Sequence, residues 1–472
     1  MNSITNNLAP DALEIGASLY FYQRTSNLRN LLKIHFPDLW SIIYPICLLR
    51  LIYDPKFKRL KLYYQCSILS EIFPYIDLSP AGIRSILLEI GRRHTKIQEF
   101  LQQNFTKNKT YLLLNKQISQ HESANLFDFT TNLNQYAQIF RQKINLWYLF
   151  SLEHDTPTPV YYKRYNFTIP DVTAFENILA DCNLDSKNII SVIDCDSTSK
   201  DDFNLLVKND LQYILPLQIH NSFIKDSNQE NNKSLLAEFD GDFIYNNNKI
   251  AFKRLENKNN FKIFLFYDQL EDEYKSEDEN AAFISKSVNI EKQQILKDNN
   301  QNNNQIDHQN TLKFSTLSLQ EASAFYKTTG IIILKTNCMN LTAQQIFSVY
   351  QSKQVIYDYC DTYDFGLDFN APFLQDDYTT DANLFLNHLA TMTYASCTHE
   401  LNSLGLSDDV SFDDLRTILS KLNADYINGQ WQIRSIPSEI LKFCQKLKLD
   451  LADFLDLSAL NRLIFNAKKS SK

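Results

Sequence analysis

The spacing of apolar residues changes near residue 110, and this change constrains the fold more than any other feature of the chain. Across residues 11–105, apolar side chains such as Leu28 and Leu31 recur every three or four positions, which is typical of amphipathic helices. Across residues 110–217, short runs rich in β-branched and aromatic residues replace that pattern. We therefore expect a helical N-terminal domain, residues 1–109, followed by a sheet.

Residues 110–217 predict the first part of an α/β core. The expected strands are residues 111–114, 144–150, 160–162, 189–193 and 213–215. Helical segments near residues 171–181 and 201–209 separate the later strands. Adjacent strands followed by strand, helix and strand indicate a mixed sheet in a chain that is α+β overall.

Residues 218–312 indicate a β-rich insertion. Residues 250–255 and 261–266 predict a hairpin joined by a polar turn. The acidic run at residues 271–279 and the Asn/Gln tract at residues 299–310 predict mobile loops.

The remainder of the chain predicts a second part of the core and a helical end. A strand at residues 330–334 and helices near residues 342–364 and 380–401 make up the second part, residues 313–405. The C-terminal region, residues 406–472, is expected to be helical.

Composition points to a cytoplasmic protein with no membrane partner. No run of about 18 apolar residues occurs, and the N-terminus lacks the layout of a signal peptide. The eight cysteines are scattered without a C-x-x-C pair, which favours reduced thiols over a zinc site. The net charge of −8 argues against binding nucleic acid. However, residues 1–116 carry 15 Lys and Arg against 8 Asp and Glu, so the basic excess is N-terminal.

One basic helix in the N-terminal region is a candidate for binding DNA. Ser79 followed by Pro80 predicts a capped helix start. The cationic residues that follow are Arg84, Arg92, Arg93 and Lys96. Such a helix after a short turn can enter a DNA groove. An equally good interpretation is a solvated face whose opposite side packs inward.

The chain resembles the DDE-type transposases of bacterial insertion sequences over nearly its whole length. The resemblance rests on residues 142–150, 159–162, 171–175, 192–194, 211–217, 333–337, 350–353 and 428–431, taken in order. It implies a ribonuclease-H-like core interrupted by a β-rich insertion. It also implies DNA at element ends as the partner, a homodimer, and catalysis by Mg²⁺.

The resemblance also locates the three catalytic carboxylates, and two of them are missing. The first position is Asn115, the second is Asp194, and the third is Tyr357. Tyr350 and Lys353 match the start of the helical signature that leads to the third position and are expected to contact DNA. Because hard Mg²⁺ needs anionic oxygen ligands, an amide and a phenol hold it poorly, and Asp194 alone would remain as a metal ligand.

Three functions follow as hypotheses. The leading one is a transposase-like DNA-binding protein without strand-transfer activity. The second is an active enzyme whose site is completed by substitutes such as Glu122, Asp128 or Asp358. For Asp358, one helical step rotates the side chain by about 100° from the required direction. The third is a binding or scaffold protein with no nucleic-acid role, which the acidic remainder of the chain favours.

Overall fold

A computed structural model describes residues 12–53, 57–103, 105, 110–119, 143–152, 157–166, 171–192, 211–219, 239–246, 248–258, 260–268, 314–316, 322, 330–362, 376–406, 409–428, 430–449, 461 and 464. The chain divides into two compact units. The first comprises residues 1–106, 115–168 and 355–472, and the second comprises residues 107–114 and 169–354.

The N-terminal part of the first unit is helical, as predicted. Its described helices are α1 Gly16–Arg24, α2 Ser26–His35, α3 Trp40–Tyr53, α4 Phe57–Cys66, α5 Leu69–Ile72, α6 Pro80–Gly91 and α7 His94–Gln102. Their apolar faces meet in an aromatic core, in which Phe36 and Phe100 both contact Phe385 at ring-centroid distances of 5.4 and 5.5 Å. Buried aromatic area of this kind is a main source of stability.

A long helix, α10 Asp377–Ser403, is the centre of the first unit. Asp376 and Thr379 form a capping box at its start, so its first N–H groups are satisfied. The helix packs against α3 and α6 and against strand β4, Thr158–Asn166. Helices α6 and α10 approach closely at Gly91, which has no Cβ. A Cβ atom at this position would lie 1.9 Å from the Tyr378 carbonyl oxygen.

Strand β4 pairs antiparallel with β3, Lys143–Ser151, in the register Tyr148 to Tyr162. Both strands are largely buried, with Leu146 and Leu149 wholly inside. The predicted strands at residues 144–150 and 160–162 are therefore confirmed.

The C-terminal region of the first unit differs from the helical prediction. Helices α11 Phe412–Leu419 and α12 Ser438–Lys446 flank a hairpin of β12 Asn423–Ile427 and β13 Gln430–Ile433. Strand β1, Ala12–Glu14, adds to β12 and completes a three-stranded sheet. The hairpin turns at Asn428, whose φ of 52° suits the Asn-Gly sequence of a tight turn. The prediction of helix across residues 423–433 is wrong because this turn signal outweighs the apolar spacing.

The second unit contains a mixed sheet. Strand β2, Tyr111–Ser119, enters this unit with its residues 111–114 and pairs parallel with β5, Ile189–Val192. Strand β5 also pairs parallel with β6, Gln212–Ile219. Helix α8, Asp171–Cys182, precedes β5 along the chain. The sheet continues in antiparallel order through β11 Ile331–Thr336, β9 Phe261–Asp268, β8 Asn248–Lys258 and β7 Gly241–Tyr245, and β10 Phe314–Thr316 also pairs with β6.

Helix α9, Ala343–Thr362, covers part of this sheet. Its Phe347 ring lies 5.6 Å from Phe243 and 5.1 Å from Phe266, and all three belong to the second unit. The mixed α+β class and the predicted hairpin at residues 250–266 are confirmed. The predicted helix at residues 201–209 and the predicted loops at residues 271–279 and 299–310 lie outside the described residues.

Candidate functional site

The predicted capped helix is present as α6. Pro80 begins the helix, and the Ser79 hydroxyl accepts a hydrogen bond of 3.1 Å from the Gly82 N–H. Ahead of the cap, the Asp77 carboxylate accepts a 2.9 Å bond from the Ser79 N–H, which lowers the pKa of Asp77. The turn and the first helical turn are thus held together by local hydrogen bonds.

The four predicted cations on α6 and α7 fall into two groups. Arg84 and Arg92 are exposed on the outer face of α6 and at its end. Arg93 instead donates to Asp38 at 2.6 and 2.7 Å and to Glu89 at 2.8 Å, and these bonds raise the pKa of Arg93 further.

Lys96 is the second cation of the set that is already paired, because its Nζ lies 2.7 Å from Glu99 Oε2. Exposed pairs of this kind contribute little stability, but they occupy the cation. Only Arg84 and Arg92 of the predicted set therefore present their charge outward without an ion pair among the described residues.

Tyr350 and Lys353 do not lie at the surface. Tyr350 is 4% exposed and Lys353 is 2% exposed, and the Lys353 ammonium donates to the Tyr350 hydroxyl at 3.2 Å. Together with Ile346 they follow a spacing of four and three along α9, which places them on one buried stripe of the helix. The expectation that these two side chains contact DNA is not met in this structure, because that stripe faces the interior of the second unit.

The structure describes only part of the three positions that the resemblance assigns to catalytic carboxylates. Asn115 lies on β2 and Tyr357 on α9, but the side chains of both lie outside the described residues. Asp194 follows the end of β5 by two residues and is itself outside them, as are the proposed substitutes Glu122 and Asp128. The Asp358 side chain is likewise not described.

The donor chemistry of these positions does not fit a pair of Mg²⁺ ions. An amide at position 115 offers one neutral carbonyl oxygen, and position 357 carries a phenol in place of a carboxylate. Only Asp194 supplies an anion, whereas two hard divalent ions need several. Among the residues that the structure describes, no group of three or more His, Cys, Asp or Glu could hold a metal ion.

The structure adds an ionic cluster on α10 that sequence reasoning missed. Arg164 of β4 donates to Asp377 at 2.9 Å and to Asp381 at 2.8 Å. Burial raises the pKa of Asp381, and Arg164 opposes that shift. The two aspartates are four residues apart on one helical face, which was the available signal, but their cation is more than 200 residues away in sequence.

A second missed feature of α10 is His388. This side chain is fully buried against the rings of Tyr148, at 5.9 Å, and Tyr162, at 5.1 Å. Neither ring nitrogen has a hydrogen-bond partner among the described residues. Burial lowers the pKa of His388 to about 3, so the ring is neutral and contributes to packing.

Comparisons with known proteins leave the family unassigned. No protein-family model matches this chain, and no curated protein matches it. Within the described residues, none of the helices combines the length and apolar character that crossing a membrane requires.

Proposed function

We propose that this protein is a DNA-binding relative of insertion-sequence DDE transposases that lacks strand-transfer activity. The observation that carries the proposal is the capped helix α6, which presents Arg84 and Arg92 on its exposed side. A helix with a capped start after a short turn can enter the major groove, and exposed arginines can pair there with phosphates or guanine edges.

The order of elements supports the transposase relationship. The helical region, the parallel strands with an intervening helix, the antiparallel insertion and the following strand and helix occur in the order that the resemblance implies. Asn115 and Tyr357 support the absence of catalysis, since neither residue supplies an anionic ligand. On this proposal the protein binds element ends as a homodimer, in the cytoplasm and without Mg²⁺.

The binding half of the proposal is tested by titrating the full chain against a labelled duplex of random sequence at several salt concentrations. Wild-type protein is expected to bind, with affinity that falls as salt rises because counterions are released from the duplex. Replacing both Arg84 and Arg92 with Ala should weaken binding, whereas Lys421→Ala, which removes an exposed lysine elsewhere, should not. Affinity that does not respond to salt would favour a scaffold role instead.

The catalytic half is tested by incubating the same protein with supercoiled plasmid in Mg²⁺ or Mn²⁺. No nicking above the level of an Asp194→Ala variant is expected. Nicking by wild-type protein that this variant abolishes would show an active site completed by other carboxylates.

A further inference from the structure

The outer side of α6 forms one continuous stripe. Successive residues of a helix are rotated by about 100° about its axis, and the C-cap residue Arg92 keeps helical backbone angles. Five residues therefore fall within an arc of about 100° on one side of the helix. Four of them are exposed and Leu88 is half-buried. We call this set the α6 stripe, and it consists of Ala81, Arg84, Ser85, Leu88 and Arg92.

The opposite side of α6 is fixed within the first unit. Ile83, Leu87 and Ile90 are buried there, and the helix packs against α10. At Gly82 the helix lies so close to the preceding turn that a Cβ atom would be 2.2 Å from the Asp77 carbonyl oxygen. Because α6 is held from this side, the direction in which the stripe faces is fixed as well.

The charge of the α6 stripe is positive. The one acidic residue within α6 is Glu89, which accepts a bond of 2.8 Å from Arg93. Neither Arg84 nor Arg92 has an ion pair among the residues that the structure describes. Charge complementarity therefore favours an anionic partner for this side of the helix.

The two arginines of the stripe are spaced to suit a duplex. Leu88 lies midway between Arg84 and Arg92, four residues from each. At a rise of about 1.5 Å per residue the arginines are about 12 Å apart along the axis, which is close to the width of the major groove. When both arginines meet phosphates, the leucine between them meets the floor of the groove. The apolar group that the floor offers is the C5-methyl of thymine.

We infer that the α6 stripe distinguishes thymine in the major groove of duplex DNA, with Leu88 packed on a thymine C5-methyl group and with Arg84 and Arg92 bonded to phosphates on either side. This inference rests on the proposed function and adds the base that the helix recognises. Since phosphate contacts carry no sequence information, Leu88 is the specificity-determining residue of the stripe.

The first test changes only the DNA. Full-length wild-type protein is used to enrich preferred sites from a library of random duplexes, and each thymine of the enriched site is then replaced by uracil. Uracil keeps the base pair and removes only the methyl group. The affinity of wild-type protein should fall about fourfold at the contacted thymine, which is the effect of leaving one methyl group unburied.

The second test changes Leu88. Leu88→Ala should bind the thymine site about fourfold more weakly or worse, and it should bind the thymine and uracil sites alike. Leu88→Met keeps an apolar side chain and should still prefer thymine. Because Leu88 is uncharged, both variants should keep the wild-type slope of log affinity against log salt. Leu28→Ala, at a half-buried leucine of α2, is the matched control and should bind as wild type.

The inference is overturned if uracil replaces every thymine of the preferred site without loss of wild-type affinity. It is also overturned if the enriched site contains no thymine, or if Leu88→Ala keeps the wild-type preference for thymine over uracil. Failure of wild-type protein to bind any DNA is a different result, since it refutes the proposed function itself.

Discussion

The buried histidine of α10 gives the sharpest prediction of how stability depends on pH. His388 has a folded-state pKa of about 3, whereas an unperturbed histidine titrates near 6.5. The described rings of Tyr148 and Tyr162 pack against it, and burial lowers its pKa. Because the folded pKa lies below the unfolded pKa, the stabilising contribution is complete above pH 6.5 and is lost as the pH falls toward 3.

The size of the effect follows from proton linkage. The unfolded chain takes up a proton at His388 that the folded protein excludes, which costs about 1.4 kcal/mol for each pH unit across this window. Between about pH 6 and pH 4 the wild-type protein should therefore lose roughly 2.5 kcal/mol through this residue. Other acidic groups titrate in the same range, so the effect must be isolated by comparison with a variant.

The matched variant is His388→Phe, which keeps a flat ring against Tyr148 and Tyr162 and cannot be protonated. Urea unfolding of both proteins at several pH values gives the difference in free energy of unfolding. At pH 8 the variant should be at least as stable, because it buries no unsatisfied ring nitrogen. The free energy of unfolding of the variant should rise relative to that of the wild type by roughly 2.5 kcal/mol on acidification from about pH 6 to pH 4. If the free energies of unfolding of the two proteins change with pH in parallel, the low pKa assigned to His388 is refuted.

Three further predictions concern stability, each measured by urea unfolding. The free energy of unfolding of Glu14→Gln should rise relative to that of the wild type as the pH rises. Burial raises the Glu14 pKa, so the folded protein prefers the protonated carboxyl and the wild type loses stability when it ionises. Gly91→Ala should cost about 1–3 kcal/mol, since its new Cβ meets the Tyr378 carbonyl, and Gly91→Ser should cost no less. Arg164→Met should cost about 2 kcal/mol by leaving Asp381 partly buried without its cation, and Asp381→Asn should cost less.

The core strands and the long helices could be predicted from sequence because burial imposes a strong local pattern. The strand at residues 189–192 is apolar apart from Ser191, as expected of a strand flanked by parallel neighbours. Ser79 and Pro80 likewise predict the start of α6, because both the capping hydrogen bond and the fixed proline φ act locally. Each of these signals lies within a few residues of the structure that it specifies.

The interior of α10 could not be predicted in the same way. Phe385 and Leu389 lie four residues apart on one apolar face of α10, yet Asn383 and His388 are equally buried. Asn383 accepts from Arg50, which is 333 residues away in the chain. A buried polar group such as the Asn383 amide oxygen normally needs a hydrogen-bond partner, and no local sequence pattern reveals one as distant as Arg50.

Lys353 shows the same difficulty for the candidate site. A lysine on a helix is normally exposed, and its place in the transposase-like signature favoured a DNA contact. Its spacing of seven residues from Ile346 nevertheless places it on the apolar stripe of α9, where the ammonium meets Tyr350. In this case helical geometry was the better guide than residue type.

The number of basic residues near α6 overstates the charge available to a DNA backbone. Arg93 and Lys96 are held by carboxylates, and exchanging those anions for a phosphate gains little net energy. A duplex contact through the two exposed cations Arg84 and Arg92 gives a slope of log affinity against log salt of roughly 1.8, and two such contacts support only modest affinity. Tight binding must then come from base-edge contacts or from two copies on one duplex, which is the physical reason to expect the homodimer proposed above.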